Sequence, residues 1–86
     1  MYSILDKTAK IYNRPWMAIN RGKAIQIFSQ MVNAEEATDI TKFPEQFILA
    51  KLGEYNDQDG KIKSLDTPEL IASGLDVQEE KIRNSQ

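Results

Sequence analysis

The residues with most chemical potential in this chain are cations and aromatics crowded near its start. Tyr2, Lys7, Lys10, Tyr12, Arg14, Trp16, Arg21 and Lys23 fall within 22 residues. Such a set suits single-stranded nucleic acid. Cations track the phosphates, and each aromatic face that stacks a base is worth ~1–3 kcal/mol. A turn at 6–9 projects Lys7 beside Lys10. Tyr12, Arg14 and Trp16 have one parity, so they share a face if a strand continues through Pro15. A structural reading competes. Trp16 is the sole tryptophan of a small chain and suits a core or interface anchor.

Charge sharpens the asymmetry. The net charge is −2, yet residues 1–34 hold five basic groups and one acidic group, whereas residues 35–86 hold six and twelve. Opposed halves hint at an anionic partner, unless the fold interleaves them.

Other chemistries fare worse. Without histidine or cysteine the chain lacks the usual general base, the usual metal ligands and any thiol redox chemistry. No serine lies in a Gly-x-Ser-x-Gly elbow, and the four glycines form no phosphate loop. The pairs Glu35-Glu36 and Glu79-Glu80 are sequence neighbours in solvated segments, and such neighbours do not face one another. With Gly60 at the sixth position of a calcium loop, Asp57 and Asp59 fit, but Tyr55 occupies position one and Asp66 position twelve. That stretch reads as a hairpin turn. The expectation is a protein that is not an enzyme, with no cofactor and no metal.

The elements that must position the basic–aromatic set follow from periodicity. Eighty-six residues with 41% apolar and 28% charged side chains suit one small domain. We expect it over 1–77, followed by a polar, frayed tail over 78–86. Segments 2–5 and 10–13 form a short hairpin, interrupted at Pro15, and 16–19 is a further extended piece. Ala24, Ile25, Ile27, Phe28, Met31 and Val32 recur at helical spacing, which predicts a helix over 21–32 lying on a sheet. Asn20 is its N-cap and Asn33 a left-handed closing residue. Segment 35–39 is an acidic connection, with Ile40 and Phe43 tucked beneath it. Pro44 opens one helical turn. Residues 47–55 are apolar at both parities and form a central strand, with a bulge at Gly53. Asp59-Gly60 turns the chain into a return strand at 61–65. Thr67-Pro68 starts a short helix over 68–73 that Gly74 ends, and Leu75 and Val77 make a last contact. The fold class is α+β: a small, mostly antiparallel sheet in the order β-β-α-β-β, with one amphipathic helix packed on it and a short C-terminal helix. No apolar run reaches the ~18–20 residues of a membrane span, and the start is no secretory signal. Strand 47–55 pairing across a two-fold axis gives a homodimer whose basic patches join into one groove.

Three blocks carry a family resemblance. The first is Tyr2-Ser3-Ile4 with Ala9, Tyr12 and Pro15-Trp16. The second is Ala18-Ile19-Asn20 with Ala24-Ile25, Phe28 and Val32-Asn33. The third, and most telling, is Phe43-Pro44-Glu45-Gln46-Phe47-x-Leu49-x-Lys51-Leu52-Gly53-Glu54-Tyr55-Asn56 with Gly60-x-Ile62. Over about residues 2–62 the chain resembles the small non-structural protein of gokushovirus-type microviruses, which are single-stranded DNA phages. The resemblance implies a DNA-binding phage protein in the host bacterial cytoplasm, aiding the switch to single-strand synthesis and packaging. It supplies no functional residues. Relatives carry acidic residues after the capping Asn and a basic residue after Ala-Ile. Here Arg21-Gly22-Lys23 and Gln26 stand instead, which enriches the helix start in positive charge.

The expected function is therefore single-stranded DNA binding. Lys7, Lys10, Arg14, Arg21 and Lys23 would meet phosphates, and Tyr12 and Trp16 would meet bases. The alternative is a protein–protein adaptor for the phage replication initiator or host replication proteins, working through a sheet edge or the acidic half.

Overall fold

The computed structural model describes residues 1–79. Four strands form one antiparallel sheet: β1 Tyr2–Asp6, β2 Ile11–Tyr12, β3 Phe47–Tyr55 and β4 Ile62–Ser73. Their spatial order is β2-β1-β3-β4. The fold is thus a small open α+β sheet with one principal helix, α1 Arg21–Val32. Two single turns of helix, α2 Asp39–Lys42 and α3 Gly74–Val77, and a 3₁₀ turn Pro44–Gln46 complete it. No described helix is long and apolar enough to cross a membrane.

The helix forms where its periodicity and cap place it. The Asn20 side chain accepts a hydrogen bond from the Lys23 backbone N–H at 2.8 Å, satisfying one of the free donors of the first turn. Ala24, Phe28 and Val32 form the buried stripe. They pack on Tyr2, Ile4, Phe47 and Leu49, and Ile4 pairs with Leu49 across the β1–β3 ladder. Paired residues share a face of the pleat, so one face of the sheet holds this core. Ile25 packs against the core, whereas Met31 is exposed.

Several expectations change. Asn33 is not left-handed: φ is −99° and ψ is 11°. It closes α1 through its side chain, whose Nδ2 donates to the carbonyls of Ser29 at 2.8 Å and Val77 at 2.9 Å. Its Oδ1 accepts from the Glu79 N–H at 2.7 Å, so the first part of the expected tail is tied down. Residues 80–86 of that tail lie outside the described residues. The acidic connection leads at Asp39 into a turn of helix, α2, and Phe43 stands exposed rather than tucked, while Ile40 does reach the core. Of segment 16–19, only Trp16 makes a bridge, to Tyr2.

The largest difference is at 68–73, expected as a helix and found as the end of β4. β4 is an edge strand, where a proline need not donate to a ladder. Pro68 falls in the register shift between the pairs Lys51–Glu69 and Gly53–Ser64. Four residues of β4 there oppose Leu52 alone. Gly74 accordingly starts a helix instead of ending one, and the Ser73 hydroxyl caps it, accepting from Leu75 N–H at 3.0 Å. A Cβ on Gly74 would collide with the Pro44 carbonyl, so glycine is the residue that lets α3 seat on the 3₁₀ turn. Val77 then packs on the core and Leu75 is exposed.

β3 is central, as its two-sided apolar pattern implies. Both its edges are occupied, by β1 and β4, so it has no edge left to pair across a two-fold axis. The bulge at Gly53 is present. A side chain there would strike the Lys63 carbonyl of the neighbouring strand.

Candidate nucleic-acid interface

The β1–β2 turn is built by Asp6. Its carboxylate accepts from the N–H groups of Thr8 at 3.0 Å and Ala9 at 3.1 Å, and its carbonyl accepts from Lys10 N–H at 2.8 Å. Lys10 closes the turn in the left-handed region, at φ 60°. Lys7 is fixed from the other side, its N–H donating to the Gln46 carbonyl at 2.9 Å. Lys7 and Lys10 are both exposed on this turn. Tyr12, 40% exposed, and Arg14, exposed, follow along the outer edge of the sheet. Lys7, Lys10 and Arg14 form no ion pair among the described residues, and no acidic residue occurs between 7 and 23.

The ladder changes step after β2. Leu5 pairs with Tyr12, yet Tyr2 bridges Trp16, so four steps along one segment match three along the other. An inserted residue reverses the facing of everything beyond it. Tyr12 therefore lies on the sheet face opposite Trp16, and the common face expected for Tyr12, Arg14 and Trp16 does not form. Trp16 packs on the helix-covered face beside Tyr2, with ring centroids 6.5 Å apart, and its indole N–H is buried. It is a core-edge residue, the structural alternative that its uniqueness suggested.

Arg21 and Lys23 sit elsewhere. They open α1 above the row Tyr2–Lys51–Glu69, at the opposite end of β1 from the Lys7–Lys10 turn. The length of β1 alone separates the two groups by about 13 Å. Arg21 is engaged with Glu69 at 2.6 Å, whereas the Lys23 ammonium donates to the Gln26 amide oxygen at 3.4 Å. The seven candidates thus divide into a basic edge (Lys7, Lys10, Tyr12, Arg14), a helix entry (Arg21, Lys23) and a core residue (Trp16).

Beside the helix entry lies a surface niche of about 360 Å³, lined by Met17, Ile19, Asn20, Arg21, Lys51 and Tyr55 among others. Five of these six were not candidates. An isoleucine just before a helix cap normally signals a core contact, and a tyrosine ending a central strand signals sheet packing. Near it, the Glu54 carboxylate bonds Lys51 at 2.9 Å, and each holds the other in its charged form. The lysine pKa is raised by that bond and the glutamate pKa is lowered by it.

The acidic turn at 56–60 spends its oxygens on itself. Asn56 Oδ1 accepts from Gln58 N–H at 2.8 Å, and Asp59 Oδ1 accepts from Lys61 N–H at 2.9 Å. Gly60 has φ 73°, the conformation a hairpin needs there.

The family model described as Phage ORF5 protein matches residues 1–77. The chain belongs to the Phage ORF5 protein family. The match is to a phage-associated family and covers every strand and helix described above. No curated protein and no solved structure matches the chain. Within this family member, the geometry of its own surface is what distinguishes one use from another.

Proposed function

We propose that this phage protein is a non-enzymatic, sequence-tolerant binder of single-stranded DNA, of the kind that gokushovirus-type microviruses employ. It would act in the host bacterial cytoplasm and support the switch to single-strand genome synthesis and packaging. The observation that carries this reading is the sheet edge at Lys7, Lys10, Tyr12 and Arg14. Three exposed cations with no ion pair among the described residues and one accessible aromatic ring follow one another along it. Phosphate contacts with such an edge give affinity without base preference, because every base has a face to stack and every phosphate the same charge.

The test is a fluorescence-anisotropy titration of a labelled oligothymidylate at several salt concentrations. Log affinity should fall linearly with log salt, by about 0.7 per phosphate neutralised on a single strand. Replacing Lys10 and Arg14 together by Gln should flatten that slope by about 1.4. The reading fails if the wild-type protein retains no oligonucleotide at low salt.

A second reading, an adaptor or a self-associating protein, is favoured by the other face of the sheet. Leu5, Ile48, Leu52 and Leu70 lie there outside the core cluster, and Leu70 is 55% exposed. Pull-down from infected cells with nuclease treatment separates the readings: partners that survive nuclease point to the adaptor.

A further inference from the structure

Three of the side chains lining the niche at the start of α1 are large, hydrophobic and about half or more exposed. Ile19 is 93% exposed. It precedes the helix cap, where an apolar residue ordinarily packs back on the first turn of the helix. Here it does not, although Ala24 in that position is fully buried. Met17 is 49% exposed and Tyr55 50%. Tyr55 pairs with Ile62 at the far end of the β3–β4 ladder, where strand pairing fixes its backbone.

The side-chain cations of the niche are paired, and the Met1 ammonium donates to the Gly53 carbonyl at 2.7 Å. Arg21 is neutralised by Glu69, and Lys51 by Glu54. A phosphate gains little from cations already paired, whereas a flat, uncharged ring gains from an aromatic face and two aliphatic chains. A volume of about 360 Å³ lies at the lower end of the range for small-ligand sites, about 300–1,000 Å³, and suits one nucleoside rather than several. Segment 13–20 itself runs from the basic edge at Tyr12 to this niche, so one strand of DNA can follow it from one to the other.

We infer that the niche formed by Met17, Ile19 and Tyr55 is a nucleobase site, which takes one base of a single strand lying on the basic edge. This rests on the DNA-binding reading and adds to it a place where a base, not a phosphate, is held.

The experiment compares the full chain with Tyr55→Ala and Ile19→Ser on two labelled strands of equal length, an oligothymidylate and its abasic counterpart. Tyr55→Ala should weaken oligothymidylate binding roughly five- to hundred-fold, the range of one stacked base, with an unchanged salt slope. Tyr55→Phe should restore it. Ile19→Ser should weaken it in the same direction and less, and so exposed a residue leaves the fold intact. Neither variant should change binding of the abasic strand. The inference is overturned if Tyr55→Ala matches wild type on oligothymidylate, or if it weakens both strands equally. If wild type binds neither strand at low salt, the DNA-binding reading falls and the niche with it. If wild type binds both strands and only the Tyr55 comparison fails, the niche alone falls.

Discussion

The two faces of the sheet follow the same two-residue period and meet opposite fates. On one, Tyr2, Ile4, Phe47 and Leu49 lie under Ala24, Phe28 and Val32. On the other, no described helix covers Leu5, Ile48, Leu52 and Leu70, and among the described residues only the small side chains of Ser3 and Ala50 are fully buried there. Among the described residues one helix, α1, is long enough to cover a sheet, and it covers one face. Folding free energy is concentrated there. The open face, the basic edge and the niche lie outside that core, where side chains are free to be chosen for contacts with something else.

Breaking the covered face should have the largest effect. Phe28 is fully buried at its centre, and Phe28→Ala should cost about 3–5 kcal/mol, from lost burial plus the cavity left behind. Urea unfolding followed by circular dichroism would show this as a lowered midpoint with little change in slope. A cost under about 1 kcal/mol would mean that the helix does not seal the core. Next comes the seat of α3. Gly74→Ala places a methyl group against the backbone of Pro44, where no rotamer change relieves the contact. The 3₁₀ turn must shift, at about 1–3 kcal/mol, the usual scale of overpacking. A neutral result would show that α3 does not dock against that turn.

How much of this was legible beforehand follows from the same contrast. The helix over 21–32, its Asn20 cap, the central strand 47–55 and the turn at Gly60 are each written in local chemistry: an apolar period, a capping side chain, a residue tolerant of positive φ. The segment 68–73 is not. Thr-Pro-Glu is a sound helix start in isolation, and β4 overrides it because its pairing with β3 lets the bulge absorb Pro68. Asn33 was legible as a terminator but not in its means, since its partner Val77 lies 44 residues away. The site divides likewise. Exposure of the cations near the start follows from their charge, whereas their separation into two groups depends on β1, which places the turn and the helix entry at its opposite ends. One inserted residue near Pro15 turns Trp16 inward. The niche was hidden because its members come from three elements, and apolar types such as Ile19 and Met17 suggest burial, not binding.

The smallest expected effect is on the open face, and it decides whether that face is idle. Leu70 pairs with Ala50 on β4, the edge strand, and is 55% exposed. Leu70→Thr keeps a side chain suited to a strand and removes apolar surface already largely in water. Its effect on stability should stay within about 0.5 kcal/mol, as for surface substitutions generally. The same urea series that reports on Phe28 measures it. If the cost instead approaches that of Phe28→Ala, the two faces are not different in kind, and the open face is a second core. If stability holds while nuclease-resistant partners disappear from a pull-down, the face is an interface, because a substitution silent in folding has then removed a contact that only another molecule could make. If both stability and partners are unchanged, Leu70 is simply the exposed margin of an edge strand, and binding belongs to the basic edge and the niche.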